Sequence, residues 1–229
     1  MVTLFDLHVH TSIGSGDSIL SPEDMVQEAE KLGLRGLCIT EHSGPWDLQQ
    51  FSSFSDKNNL VLIRGMEVDT NMGHVLAYGL DKYHESFRKA DLLRKELDRL
   101  GGFMISAHPF RHLSVVSSYK RPLLYLESSI PNTVEEAASH PIFQLVDAIE
   151  SANGATIDQD NEFAGRVTTV LGLKSTGGSD AHSSHEVGRC VTVFESDICT
   201  EEQFYNALNA DAFYPAKLLP SGQLKRIGS

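Results

Sequence analysis

The chain has 229 residues, 41% of them hydrophobic and 22% charged, which is enough apolar material for one large folded domain. Its formal net charge of −12 argues against a general affinity for nucleic acid or anionic membranes. Three scattered cysteines are too few for a disulfide framework or a thiolate zinc site. No apolar run has membrane-spanning length and no signal-peptide pattern opens the sequence. We therefore expect a single domain over residues 1–229 in the cytoplasm, without a membrane partner.

Short apolar runs alternate with amphipathic stretches along the whole chain. The first run, TLFDLHV, predicts a strand, and SPEDMVQEAEKLGL after it predicts a helix capped by Ser21 and closed by Gly33. The further strands are predicted, in chain order, at 36–40, 59–68, 74–80, 102–108, 145–151, 174–180 and 190–195. The further helices are predicted at 84–102, 133–140, 160–173 and 200–210. This alternation is typical of a parallel α/β sheet, open or closed into a barrel, and the segment 110–132 is expected to be a loop over one end.

Nearly every predicted strand ends in a histidine or a carboxylate, and the carboxyl ends of parallel strands share one face. The residues at these strand ends are His8, His10, Glu41, His42, Glu67, His108, Glu150, Asp180 and His182. Asp17 follows in the loop after the first strand, and His74 opens the strand predicted at 74–80. Imidazoles and carboxylates without thiolates suit Zn, Mn or Fe, and their number suits two or three divalent ions. The remaining histidines are His84, His112, His140 and His185, and all four are expected on helices or loops outside this cluster. Of these, His112 and His185 are candidates for the rim of the site.

Six short motifs resemble, in order, those of the PHP (polymerase and histidinol phosphatase) family: DLHVHT, ITEH, GMEV, GHVLAYG, SAHP and GGSDAH. The resemblance extends from residue 5 to about residue 188. It implies a distorted (β/α)7 barrel, similar to a TIM barrel, with a trinuclear metal centre at the strand ends. Family members include histidinol phosphatases, nucleotide and oligonucleotide phosphoesterases, and domains attached to DNA polymerases.

The resemblance also implies three groups of metal ligands. The first group is His8, His10, Glu67 and Asp180. The second consists of Glu67, which would bridge the two ions, with His74 and His108. The third is Asp17, His42 and His182. Glu41, where the family often has aspartate, is expected to orient an imidazole, and Glu150 is expected outside the ligand set.

The implied chemistry is phosphoester hydrolysis by a hydroxide that bridges two metal ions, with no side-chain nucleophile. Glu67, Asp180 and His182 are the predicted catalytic residues, and either His182 or a metal-bound water would protonate the leaving oxygen. Arg111 and Arg189 are predicted to bind the phosphate of the substrate, because a guanidinium matches two phosphate oxygens.

The favoured function is hydrolysis of a small phosphomonoester. The alternatives are a phosphodiesterase or nuclease on nucleotides or short oligonucleotides, a non-catalytic metal-binding regulatory domain, and a deacylating hydrolase. The negative net charge and the lack of a basic, aromatic-lined stripe in the sequence disfavour long nucleic acid as a partner. The substrate, the native metal and the oligomeric state are left open.

Overall fold

The computed structural model describes residues 2–115, 117, 120–126 and 129–227 of the chain. Within these residues there are ten strands and six α-helices. The strands are β1 Thr3–Val9, β2 Gly36–Glu41, β3 Val61–Thr70, β4 Gly73–Tyr78, β5 Phe103–Ser106, β6 Ala148–Asn153, β7 Lys174–Gly178, β8 Cys190–Phe194, β9 Phe213–Leu218 and β10 Leu224–Arg226. The helices are α1 Pro22–Lys31, α2 Leu48–Ser55, α3 Ala90–Leu100, α4 Val134–Ala138, α5 Asp158–Leu171 and α6 Glu201–Ala210.

The strands form one curled sheet in the order β10-β9-β8-β1-β2-β3-β4-β5-β6-β7. The sheet curls until β1 meets the segment that follows β7. There the Asp180 N–H donates to the His8 carbonyl at 2.7 Å, and the His10 N–H donates to the Ala181 carbonyl at 3.0 Å. Strands β1 to β7 therefore enclose a distorted barrel with helices on its outside, and the predicted α/β barrel class is confirmed.

The expectation of a parallel sheet is wrong around β4 and in the edge of the sheet formed by β8, β9 and β10, where the pairs are antiparallel. Strand β4 is antiparallel to both of its neighbours, and β8 is antiparallel to β1. Only Asn71 and Met72 separate β3 from β4, and such a short link permits a hairpin but no crossover helix. The reversal at this turn brings His74, the second residue of β4, opposite Asp69 near the end of β3.

The helix predicted over 84–102 is divided. A short 3₁₀ turn, Glu85–Arg88, precedes α3, and Lys89 between them has an extended backbone. The Asn71 side chain accepts the Ala90 N–H at 3.0 Å and so marks the start of α3. Helix α2 and the β9–β10 hairpin were not foreseen. The loop predicted at 110–132 contains a 3₁₀ turn at Leu123–Tyr125, and residues 116, 118, 119, 127 and 128 of that prediction lie outside the described residues.

Apolar side chains close the end of the barrel where β1 begins. Phe204 of α6 stacks on Phe5 at 5.2 Å between ring centroids and meets Tyr78 edge-on at 6.3 Å. The Tyr78 hydroxyl donates to the Leu7 carbonyl at 2.6 Å, so the one polar atom of this ring is satisfied. The opposite end is left to polar side chains. None of the described helices is long and apolar enough to cross a membrane.

Candidate metal centre

His8 and His10 point to the same side of β1 because strand side chains two residues apart share a face. Both are fully buried, and their Nε2 atoms lie 3.0 Å apart. The carboxylates of Glu67 and Asp180 complete this group. Glu67 Oε2 lies 3.5 Å from His8 Nε2 and 3.3 Å from His10 Nε2, and Asp180 Oδ1 lies at 3.4 and 3.2 Å from the same atoms.

The spacing of these four atoms fits a metal ion. An ion with ligand bonds of about 2.1 Å holds neighbouring ligands about 3.0–3.4 Å apart, depending on whether its geometry is octahedral or tetrahedral. The measured separations run from 3.0 to 3.5 Å. The four ligand atoms are two imidazole nitrogens and two carboxylate oxygens. This combination of borderline and hard donors is suited to Zn, Mn or Fe. The structure thus brings the first predicted group together.

The second predicted group lies on the other side of Glu67. Oε1 of Glu67 is 2.8 Å from His74 Nδ1 and 2.9 Å from His108 Nε2, whereas Oε2 faces His8 and His10. Burial opposes ionisation of Glu67, but the histidines around it hold its pKa well below the usual value. A fully ionised carboxylate with one oxygen in each group has the geometry of a bridging ligand.

The third predicted group is more open to solvent. Asp17 Oδ2 lies 3.5 Å from His42 Nε2 and 3.3 Å from His182 Nε2. The Asp17 side chain is 61% exposed, so this group forms the mouth of the site. The ring of His10 stacks between His42 and His182, with centroids 4.3 and 4.4 Å away, and its ligand atom lies within reach of theirs. His10 therefore links the first group to the third, which the sequence did not indicate.

Glu150 sets the orientation of His8 from the side away from the ligand atoms. Its Oε1 lies 3.0 Å from His8 Nδ1, and its Oε2 accepts the His108 N–H at 2.9 Å and the Asn153 side-chain amide at 3.0 Å. Burial would lower the pKa of His8, but Glu150, Asp180 and Glu67 outweigh it and raise that pKa well above the usual value. When a metal ion takes the place of the Nε2 proton, Nδ1 would keep its own proton in the hydrogen bond to Glu150, and the Nε2 lone pair would face the site.

Glu41 acts on His10 through an intermediate serine. The Ser15 hydroxyl donates to Glu41 Oε2 at 2.6 Å and lies 3.1 Å from His10 Nδ1. The buried carboxylate also accepts the Trp46 indole N–H at 2.7 Å and the Thr11 N–H at 3.1 Å. Glu41 is thus placed to orient an imidazole, as the sequence suggested, but it acts on His10 through Ser15 and not by direct contact. The role of Ser15 was missed, since a serine in a small-residue loop carries little signal.

Glycine is required where this loop passes Glu41. A Cβ on Gly14 would lie 2.6 Å from Glu41 Cβ, far inside van der Waals contact. The Gly14 carbonyl accepts the Ser43 N–H at 3.0 Å, which ties the loop to the end of β2. The loop that carries Asp17 is therefore wrapped around the buried carboxylate.

Asp6 is a second structural carboxylate that the sequence analysis overlooked. It lies in the middle of β1, is fully buried, and accepts N–H groups from Ser179 at 2.8 Å, Gly188 at 2.9 Å and His8 at 3.2 Å. Burial raises its pKa to about 6, and these hydrogen bonds oppose the rise. Asp6 fastens the segment around Asp180 to β1. The sequence did offer a signal for this role, because an aspartate inside an otherwise apolar strand indicates a buried carboxylate with hydrogen-bond partners.

The two arginines predicted to bind phosphate lie in different surroundings. Arg111 donates to Asp180 Oδ2, to Asn153 Oδ1 at 2.7 Å and to Thr156 Oγ1 at 3.1 Å, all through Nε and Nη2. The side chain of Arg189 is 44% exposed, and its Nη1 lies 4.0 Å from Glu186 Oε1. Among the described residues, no hydrogen bond or ion pair joins Arg189 to the ligand cluster. The structure brings Arg111 to the cluster and leaves Arg189 outside it.

The remaining histidines lie outside the ligand groups, as expected. The ring nitrogens of His84 and His140 accept the N–H groups of Ser86 and Ile142, so each caps a 3₁₀ turn. His112 and His185 belong to no group of converging ligand atoms in the described part of the chain. Among the described residues, neither forms a hydrogen bond or ion pair with a predicted metal ligand, so their place at the rim stays a prediction.

Two family models match this chain. The PHP domain model matches residues 6–143, and the model described as PHP-associated matches residues 158–213. A protein of Caldicellulosiruptor bescii named probable phosphatase is 28% identical over 207 residues, which cover 81% of this chain and 82% of that protein. A 5'-3' exoribonuclease of Haemophilus influenzae is 27% identical over 88 residues, 37% of this chain and 31% of that enzyme.

A solved structure supports the fold. It is a two-domain protein of Bacteroides vulgatus that contains a predicted PHP-like metal-dependent phosphoesterase, and it aligns with a TM-score of 0.68. The two chains are 19% identical, and the alignment covers 94% of this chain but 64% of the other. At this identity the likeness concerns the fold alone.

Proposed function

The chain belongs to the PHP domain family of metal-dependent phosphoesterases, and on that premise we propose that it is a phosphatase of small phosphomonoesters. The observation that carries the proposal is that three groups of imidazole and carboxylate ligand atoms lie together at one end of the barrel, beside the partly buried Arg111. The match to the probable phosphatase extends over most of both chains, which supports hydrolysis of a monoester.

The proposed ligand sets are the three groups described above. His8, His10, Glu67 and Asp180 would hold one ion, and Glu67, His74 and His108 a second. Asp17, His42 and His182 would hold a third at the mouth of the site. When bound, such ions would activate a water for attack on phosphorus and neutralise charge on the phosphoryl oxygens.

The protein side chains would mainly position the phosphoryl group, because phosphoryl transfer needs little covalent chemistry from the enzyme. Arg111 uses Nε and Nη2 for Thr156, Asn153 and Asp180, and among the described residues its Nη1 has no hydrogen-bond partner. That free edge of a fixed guanidinium is suited to a phosphate oxygen. We place Arg111 as the substrate-binding cation of the site.

The hydrogen bonding of His182 favours a role as a metal ligand over a role as the general acid. Its Nδ1 lies 3.0 Å from the Asp180 carbonyl, which can only accept, so Nδ1 carries the proton. Nε2 then has a lone pair and faces Asp17 Oδ2 at 3.3 Å. His182 would therefore contribute a ligand atom, and the leaving oxygen would take its proton from water at the open mouth.

A panel of phosphate esters tests the proposal. The purified chain is supplied with Mn, Zn or Fe, and the release of phosphate from monoesters is compared with cleavage of diesters and short oligonucleotides. The Asp180→Asn variant serves as the control for contaminating activity. Faster turnover of monoesters supports the proposal, and faster cleavage of diesters would favour the phosphodiesterase that the exoribonuclease match suggests. If a chain shown to hold its metals hydrolyses none of these esters, the proposal is wrong and the non-catalytic regulatory domain is the remaining hypothesis.

A further inference from the structure

A second cleft lies outside the barrel, between α5 and the β9–β10 hairpin. Its volume is about 550 Å³, enough for a small-molecule ligand. Its charged lining residues are Asp158, Glu162, Arg166, Lys217, Lys225 and Arg226. Four cations and two carboxylates thus meet in a chain whose formal net charge is −12.

The cations of the cleft are only partly neutralised. Lys217 pairs with Asp158, with Nζ 2.7 Å from Oδ1. In the described part of the chain, no carboxylate lies within 4.0 Å of the charged groups of Arg166, Lys225 or Arg226. The local excess of positive charge makes this cleft attractive to anions, although the net charge of the whole chain is negative.

Both arginines of the cleft lie over aromatic rings. The Arg226 guanidinium lies 4.4 Å from the ring centroid of Tyr214, and that of Arg166 lies 5.2 Å from the centroid of Phe163. A guanidinium stacked by its face keeps its N–H edges free, and stacking limits the rotamers that must be ordered when a ligand binds. Both groups are therefore partly arranged for oxyanions before any ligand arrives.

The strand register places two of the cations side by side. Lys217 of β9 is paired with Lys225 of β10 on one side and with Cys190 of β8 on the other. Neighbouring strands are about 4.8 Å apart, so the side chains of Lys217 and Lys225 are close enough to bind the same anion.

We propose that this cleft is an anion-binding site for a compact ligand with two or more phosphate or sulfate groups. The ligand is either a free polyanion or a distant part of the molecule hydrolysed at the metal centre. The cations come from α5, β9 and β10, separated by some fifty residues of chain, which explains why no basic stripe is visible in the sequence. The proposal does not depend on the reaction assigned to the metal centre.

Fluorescence polarisation with the metal-loaded full chain tests the site. The probe is 8-methoxypyrene-1,3,6-trisulfonate, because sulfonates carry the required charge and coordinate metal ions weakly. We expect saturable binding that weakens as salt is added, since the cations are exposed. The Lys225→Gln, Arg226→Gln double variant should bind about tenfold more weakly or worse, because two charge-assisted contacts are lost.

The matched control is the Lys95→Gln, Arg99→Gln double variant, which removes the same charge from the exposed face of α3. It should bind the probe like the parent chain. Both variants should keep the parent Tm, which separates loss of binding from loss of folding. An absence of saturable binding, or equal weakening in the two double variants, would overturn the proposal.

A kinetic arm distinguishes the two sources of the ligand. If the trisulfonate inhibits hydrolysis of an ester that carries a second phosphate, and the cleft variant is resistant, the cleft holds a distant part of the substrate. Saturable binding without such inhibition identifies a free polyanion. Both results require that the probe binds through Lys225 and Arg226.

Discussion

Replacing Glu150 by glutamine tests whether one buried carboxylate decides which nitrogen of His8 faces the metal. Glutamine has nearly the same shape, but it offers one oxygen and one NH2 group in place of two acceptors. If the amide oxygen faces His8, the NH2 group opposes the His108 N–H and the Asn153 amide, which are both donors. If the NH2 group faces His8, Nδ1 must accept and the ring proton moves to Nε2, where it blocks the ligand position.

Both arrangements weaken the first metal group. Loss of a partner of this kind costs about 10- to 100-fold in metal affinity, which corresponds to about 1.4 to 2.8 kcal/mol. A similar figure follows from the loss of one hydrogen bond to a charged group, about 1.5 to 3 kcal/mol. We therefore expect Glu150→Gln to bind Mn or Zn about 10- to 100-fold more weakly than the parent chain. Its activity should recover only when metal is supplied in excess.

Metal titration by calorimetry and activity as a function of metal concentration give the result. The matched control is Glu186→Gln, because Glu186 accepts the His182 backbone N–H at 3.0 Å but touches no imidazole of the first group. Parent-like affinity in Glu150→Gln would refute the reasoning about the His8 tautomer. Equal losses in both variants would show that any carboxylate near the site matters, whatever its contacts.

Three further expectations concern the same centre. Glu67→Ala should lose at least two bound ions by elemental analysis, whereas Asp17→Ala should lose about one, because Glu67 faces two ligand groups and Asp17 faces one; equal losses would contradict the bridging role. Arg111→Ala should raise KM for a phosphate ester about tenfold or more at saturating metal, and Arg189→Ala should change it far less; equal KM values in the two variants would count against Arg111 as the phosphate ligand. At pH 7 metal uptake should release at least one proton, because the pKa of His8 is raised well above its usual value in the metal-free chain. Calorimetry in two buffers of different ionisation enthalpy measures this, and a null result would contradict the protonated His8.

The same shift has a consequence for the stability of the metal-free chain. A raised folded pKa means that His8 contributes stability fully below the unfolded value of about 6.5, and that this contribution is lost as the pH rises through the folded pKa. Chelator-treated protein should therefore lose stability towards alkaline pH. Supplying metal should remove that dependence, because bound ions take the place of the proton.

The barrel and most of the ligand cluster could be predicted because both depend on short-range patterns. Alternating apolar residues indicate the strands, and His8 and His10 share a face by the period of two. Parallel strands then bring their carboxyl ends together whatever the length of the connections. His74 is different, since it reaches Glu67 only through the reversal between β3 and β4, and no strand pattern encodes the direction of the next strand.

The remaining features depend on contacts that spacing does not reveal. Ser15 matters because it lies between His10 and Glu41, and Asp6 because three N–H groups from distant segments converge on it. Arg189 follows the last motif in sequence, yet its nearest ion-pair partner is Glu186, and among the described residues it has no hydrogen bond or ion pair with a ligand residue. Such outcomes are decided by side-chain packing around a site, which a single sequence without its fold does not contain.

The closure of the barrel between β1 and the segment after β7 links metal binding to the folding of the chain. His8 lies on the first strand, His10 directly after it and Asp180 beyond the seventh, so the first ligand group joins regions that are far apart in sequence. The Ser179 hydroxyl and the His8 carbonyl that it contacts are 171 residues apart in sequence. An ion at this position would act as a reversible cross-link that closes a loop of that length, and contacts of such long range are the slowest to form during folding. During synthesis the site is incomplete until the last barrel strand has emerged, so metal would be acquired late and would trap the closed form of the barrel.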